Sequence, residues 1–161
     1  MQIDNLKKVP QYLLPLAQWH QAQWQVLNPG QTLQQRIDKM QLYLNDDFIP
    51  TTFVASAQQL LGSAAIVQCD MDIRPQLMPW LASVYVDKTQ RQQGIGSQLV
   101  RHVMQQAAEQ GIERLYLYTP DQQNFYKKLG WRIMEKIEYH GSKVCIMQAD
   151  LTKFEVSDLD N

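Results

Sequence analysis

Apolar residues recur along this chain with two different periods, and the switches between them lay out its elements. From Pro10 to about Leu27, the residues Leu13, Leu16, His20, Trp24 and Leu27 fall at steps of three and four, which gathers them on one face of a helix. Asn28-Pro29-Gly30 ends that helix. Thr32 can cap a second helix from Leu33 to about Leu44, whose stripe is Leu33, Ile37, Met40 and Leu44. The pattern then changes to runs rich in Val, Ile, Thr and aromatics, read as strands over Thr51 to Ser56, Leu60 to about Cys69 and Trp80 to Val86. Gln58-Gln59 reads as a hairpin connection. The link from Asp70 to Pro79 carries Arg74-Pro75 and Met78-Pro79, too much proline for a regular element, and is a candidate substrate loop.

A third helical stripe, Ile95, Leu99, Val103 and Ala107, spans Ile95 to about Gln110 and stops at Gly111. Leu115 to Tyr118 is a short strand, and Asp121 can cap a helix that reaches Leu129 before Gly130 breaks it. Trp131 to Tyr139 and Lys143 to Leu151 read as a hairpin turning at His140-Gly141-Ser142. At the amino-terminal end, Ile3 and Leu6 anchor a short first strand within residues 1 to 8. Residues 152 to 161, with Asp158 and Asp160, read as a frayed tail beyond a single domain over 1–151.

The chemistry concentrates where the third strand of that dense β region meets the third helix. Arg91-Gln92-Gln93-Gly94-Ile95-Gly96-Ser97 joins them through two glycines that let backbone approach a ligand, and the helix start offers unpaired N–H groups and the positive end of its dipole. Such a loop suits a pyrophosphate. It is neither a Walker A loop, which needs Gly-Lys-Ser/Thr, nor a dinucleotide loop, which needs three glycines. It resembles instead the Arg/Gln-x-x-Gly-x-Gly/Ala loop of the GNAT family of N-acetyltransferases. Phe125-Tyr126-Lys127-Lys128-Leu129-Gly130-Trp131 is similar to a second segment of that family, Tyr-x-x-x-Gly-Phe/Trp. The element order β-α-α-β-β-β-α-β-α-β-β is the family's as well, so the resemblance covers roughly residues 1 to 150.

That resemblance implies an α/β (α+β) fold, a mixed but mostly antiparallel sheet with helices on both faces. It implies acetyl-CoA as cosubstrate, held by Arg91, Gln92, Gln93, Gly94, Ile95, Gly96 and Ser97 and by the backbone of Val84, Tyr85 and Val86. Many relatives carry an asparagine seven residues before the tyrosine, where this chain has Thr119; Thr119 and Asn124 are the candidates to replace it. Tyr126 is the implied general acid, because a departing thiolate is helped by a phenol that donates a proton; the competing reading is an aromatic packed between helix and sheet.

The acceptor side is read from the residues. An alkyl amine is about 99.9% protonated at neutral pH and needs a group to take its proton. Asp70 and Asp72, at the end of a strand near the acyl end of the cofactor, are the candidates, with plain surface solvation as the alternative. Arg74 could receive a substrate carboxylate, and with Asp72 would make a zwitterion site. His20 and Trp24 are candidate pocket residues, though a lone histidine on an apolar helical face is more often a satisfied core residue.

Composition narrows the rest. A chain of 161 residues with net charge −1 has no general field for nucleic acid or anionic lipid, and no apolar stretch approaches membrane-spanning length. A cytoplasmic protein with buried, reduced Cys69 and Cys145 and no metal is the expectation. The function expected is direct acetyl transfer to a small-molecule amine. The alternatives are acylation of a protein amino terminus or lysine, a CoA-binding sensor without turnover, and nucleotide binding by the same cradle. The family also implies a homodimer, through the last hairpin or an exposed sheet edge, as an assembly to test.

Overall fold

Alternation along the strands decides which helix each face of the sheet receives. The computed structural model describes residues 1–154. Its elements are β1 (Gln2–Asn5), α1 (Leu13–Trp24), α2 (Leu33–Leu42), β2 (Thr51–Ser56), β3 (Leu60–Val67), β4 (Trp80–Val86), α3 (Ile95–Glu109), β5 (Arg114–Thr119), α4 (Gln123–Lys128), β6 (Arg132–Tyr139) and β7 (Ser142–Asp150). Phe53 and Ala55 of β2 point one way, into a core shared with Leu99, Val103 and Ala107 of α3. Val54 points the other way, into a core with Leu16 and Ala17 of α1 and Met40 of α2. Helices therefore cover both faces of one seven-stranded sheet, ordered β1-β2-β3-β4-β5-β7-β6. Every neighbouring pair is antiparallel except β4 and β5.

The parallel pair matters most for function. β4 and β5 share one bridging pair, Trp80 with Tyr116, and diverge from there toward their carboxyl ends. On its other side β4 follows β3 through an irregularity: Tyr85 faces Ser63 and Ala82 faces Ala65, so β4 carries an extra residue at this point. Ser83 takes up the distortion with a φ of +54°. Gly62 is required beside it, because a Cβ there would lie 2.5 Å from the Tyr85 carbonyl oxygen.

Several boundaries differ from the sequence expectation, each for a local reason. Pro10–Tyr12 forms a 3-10 turn ahead of α1. α2 ends at Leu42, whose carbonyl accepts from the Asn45 side chain. Its start is as expected, with Thr32 and Gln35 forming a reciprocal capping box. β3 ends at Val67, which leaves Cys69 exposed instead of buried, while Cys145 is buried. Asp121 does not cap α4; the Thr119 hydroxyl oxygen accepts from the Gln122 N–H at 3.0 Å and performs the turn.

The link from Asp70 to Pro79 is irregular, as its prolines require, yet buried Met71 and Leu77 pin it to the sheet beside Trp80. The Trp80 indole donates to the Leu77 carbonyl at 2.6 Å. Past β7, Thr152 donates to Asp150 and Phe154 packs on the main core, so the first residues assigned to a tail turn back onto the sheet. The remainder of that tail, with Asp158 and Asp160, lies outside the described residues. None of the described helices is long and apolar enough to cross a membrane.

Candidate active site

The divergence of β4 from β5 opens a cleft of about 970 Å³ that runs from the glycine loop to α2. At one end, Gly94 stands at the start of α3 with φ +80°, and no side chain caps that helix. Its first turn holds no acidic residue, so its N–H groups and dipole face the cleft without an internal competitor. Gln92 also has a positive φ, +66°, which folds the loop tightly. The Arg91 Nε–H donates to the Val86 carbonyl at 3.0 Å, and its guanidinium sits 5.4 Å from the Tyr85 ring centre, fastening the loop to the end of β4. These features fit a pyrophosphate held by backbone, and the unpaired edge of β4 fits an extended amide-bearing arm added as a strand.

Tyr126, on α4, lines the cleft. It is 8% exposed and packs against Phe125 and Trp131, but its hydroxyl has no hydrogen-bond partner among the described residues. Burial raises its pKa, so the phenol stays protonated at neutral pH. It is a packed aromatic whose protonated hydroxyl is committed to no described residue.

At the far end, near the amino end of β4, the cleft reaches Asp70 and α2. Asp70 lines the cleft without a hydrogen-bond partner among the described residues, and loss of water pushes its pKa up to about 7 against the opposing pull of Lys39 and Arg36. Tyr43 and Tyr118 line the same region, and burial raises both phenols, Tyr43 to about 12. Arg36 is 9% exposed; its Nε and Nη2 donate to the Gln21 and Gln31 side chains, each at 3.0 Å.

His20 is 2% exposed, and burial, with Arg36 nearby, lowers its pKa to about 3. Its Nε2 lies 2.9 Å from the Ser63 hydroxyl, which in turn donates to the Ser83 carbonyl at 2.9 Å. Trp19, Trp24 and His20 also surround the Tyr85 ring. His20 is thus tied to the distorted segment of β4.

The structure brings together in this cleft Val84, Tyr85, Val86, Arg91, Gln92, Gly94, Ile95, Gly96, Ser97, Thr119, Tyr126, Asp70, His20 and Trp24. Four candidates do not line it: Gln93, Asn124, Asp72 and Arg74. Arg74 grips Glu135 with two hydrogen bonds, at 3.1 and 2.6 Å. Asp72 accepts from the Tyr139 hydroxyl at 3.0 Å, behind the cleft, where the Tyr139 ring stacks on Tyr118. A zwitterion site built from those two is therefore not assembled. Arg36, Lys39, Tyr43 and Tyr118 were missed. For Arg36 a signal exists: it lies three residues after Leu33 and four before Met40, a charge on the helix's apolar stripe.

A model of the acetyltransferase (GNAT) family matches residues 13–131. The chain belongs to that family. No curated protein sequence matches the chain. Among solved structures, an aminoglycoside 6'-N-acetyltransferase complexed with coenzyme A matches this acetyltransferase with TM-score 0.76 at 16% identity, over 96% of this chain and 99% of that one. An aminoglycoside 6'-N-acetyltransferase from Enterococcus faecium gives TM-score 0.73 at 17% identity over 96% and 99%. A ribosomal-protein-alanine N-acetyltransferase from Brucella melitensis gives 0.71 at 17% over 93% and 99%. At such identities these neighbours establish the shared fold.

Proposed function

We propose that this acetyltransferase moves the acetyl group of acetyl-CoA directly to the amine of a small molecule. The observation that carries the reading is one cleft lined by an anion cradle at the start of α3, the protonated phenol of Tyr126 and the half-buried carboxylate of Asp70. The cradle residues and the free edge of β4 would hold the cosubstrate with its thioester toward Tyr126.

Asp70 takes a proton from the incoming ammonium, which frees the nitrogen lone pair. A pKa near 7 suits that task at neutral pH better than an ordinary carboxylate does. The C–N bond forms as the C–S bond breaks; Tyr126 gives its proton to the departing sulfur, and the second proton shed by the nitrogen returns through water to Tyr126. A backbone N–H of Val84 or Tyr85 stabilises the developing oxyanion, a role typically worth about 3 kcal/mol. Neither cysteine lines the cleft, so direct transfer without a covalent enzyme intermediate is the economical course.

A small acceptor is favoured over a protein because the polar groups at the acceptor end, His20 and Arg36, are buried in the interior and not displayed along a surface groove. The test is thermal unfolding with acetyl-CoA, CoA, ATP and NAD, followed by thiol release with small amines and with peptides. A selective rise with the CoA ligands and turnover of small amines is expected. Turnover of peptides alone would overturn the small-molecule reading, and binding without any turnover would leave a CoA-binding module.

A further inference from the structure

Arg36 combines two properties that rarely occur together without a ligand. It is 9% exposed, and among the described residues it enters no ion pair. Two of its five N–H donors are spent on Gln21 and Gln31, and these contacts fix the plane of the fork without neutralising it. No described residue accepts from its Nη1, and the residue lines the cleft. A buried guanidinium without a counter-charge is costly, and burial lowers its pKa accordingly. Lys39, one turn along α2 and exposed, lines the same wall.

The only carboxylate among the described residues facing these cations in the acceptor end is Asp70, close enough to feel both but not within ion-pair distance of either. The other ionisable groups there are Tyr43 and Tyr118, which stay protonated, and His20, which stays neutral. One carboxylate and two cations at a separation form a receptor with two poles.

We infer that the acceptor is an amine that also carries an oxyanion: the Arg36 fork, with Lys39 beside it, receives the anionic group while Asp70 receives the amine. The inference rests on the proposed acetyl transfer for its reaction, but its charge argument is independent of turnover. A guanidinium fork matches a carboxylate in two parallel hydrogen bonds, and a phosphate nearly as well. A polycationic acceptor such as an aminoglycoside would instead meet two like charges, despite the fold shared with aminoglycoside acetyltransferases.

The test compares acetyl transfer to α- and ω-amino acids, to their carboxamides, to phosphoethanolamine, and to spermine and an aminoglycoside. At least one acid should exceed its own carboxamide at least tenfold in kcat/KM, and Arg36→Gln and the exposed Lys39→Gln should each erase that preference. Relative rates for phosphoethanolamine distinguish a phosphate from a carboxylate as the anion. Carboxamides or polycations acetylated as well as the acids would overturn the inference and leave acetyl transfer standing. If no amine is acetylated, thermal unfolding of the CoA-bound protein with the same compounds decides: a rise with an acid, absent with its carboxamide and abolished by Arg36→Gln, supports the two-pole receptor while the transfer reading fails. No rise with any acid would overturn it.

Discussion

The Nε2 of His20 lies 2.9 Å from the Ser63 hydroxyl, and the direction of that bond is fixed by its neighbour. Ser63 gives its one proton to the Ser83 carbonyl, so the hydroxyl must accept, and the imidazole is a neutral donor protonated at Nε2. The relay runs from α1 through β3 to the extra residue of β4, the segment whose backbone faces the cleft. His20 thus holds the distorted segment of β4 through Ser63.

Its titration predicts a measurable dependence of stability on pH. The folded pKa near 3 lies below the unfolded value of 6.5, so His20 contributes stability that is present above pH 6.5 and is lost as pH falls toward 3, at up to about 1.4 kcal/mol per unit. Asp70 acts in the opposite sense. With a folded pKa near 7 against 3.8 unfolded, it favours the folded state at low pH and opposes it increasingly as pH rises from about 4 to 7. The two slopes offset each other in the wild-type protein. Denaturant unfolding from pH 4 to 7 should show Asp70→Asn gaining on wild type as pH rises, and the deficit of His20→Gln shrinking as pH falls. Parallel curves for both variants would refute the assignment.

At Gly94 the backbone has φ +80°, and a Cβ would meet nothing within 4 Å. Space is therefore not the constraint, and asparagine and aspartate both tolerate that conformation better than other side chains. Gly94→Asn should fold and keep a reduced thermal shift with CoA. Gly94→Asp should fold equally well, since a carboxylate is welcome at a helix N-terminus, yet lose the shift by filling the anion site with its own charge. Equal responses in the two variants would remove the cradle from the argument.

How much of this was legible beforehand follows the range of each interaction. The α3 stripe and the Thr32 cap are written in residues a few positions apart, and the structure has both. Strand ends were harder: Cys69 looks like a continuation of β3, but pairing stops at Val67. Arg74 and Asp72 were natural candidates because prolines make their loop irregular, and nothing local announces Glu135 and Tyr139, more than sixty positions away, as their partners. Arg36 was hidden for the opposite reason. A charge on an apolar stripe is ordinarily a helix-edge accident, and only β3 and the Asp70 that follows its end give it a setting.

Gly62 tests whether the splay of β4 is structural preorganisation for binding. It pairs with Val86 and stands 2.5 Å, measured from an added Cβ, from the Tyr85 carbonyl oxygen. Backbone cannot swing aside as a long side chain can, so Gly62→Ala must push β4 away from β3 and toward the cleft. A loss of about 1–3 kcal/mol in unfolding free energy is expected from such overpacking. Gly62 does not line the cleft, so a weakened CoA affinity measured by calorimetry would arise through β4 alone. Unchanged affinity in a folded variant would show that the arm does not depend on the position of this strand.

Tyr126→Phe separates packing from chemistry. The ring is buried between Phe125 and Trp131, while the hydroxyl bonds to no described residue, so phenylalanine keeps the contacts and strands no partner. Melting temperature and KM for acetyl-CoA should stay as in wild type, and kcat should fall about 100-fold, the low end for losing a general acid. The pH profile adds a control. Because burial raises Tyr126, its phenol does not titrate near neutrality, and under the proposed transfer a rise of kcat/KM through about pH 7 is expected from Asp70. Tyr126→Phe should therefore lower the whole profile without moving that inflection, whereas Asp70→Asn should remove it. An inflection that shifts in Tyr126→Phe, or persists in Asp70→Asn, would reassign the groups that handle the two protons.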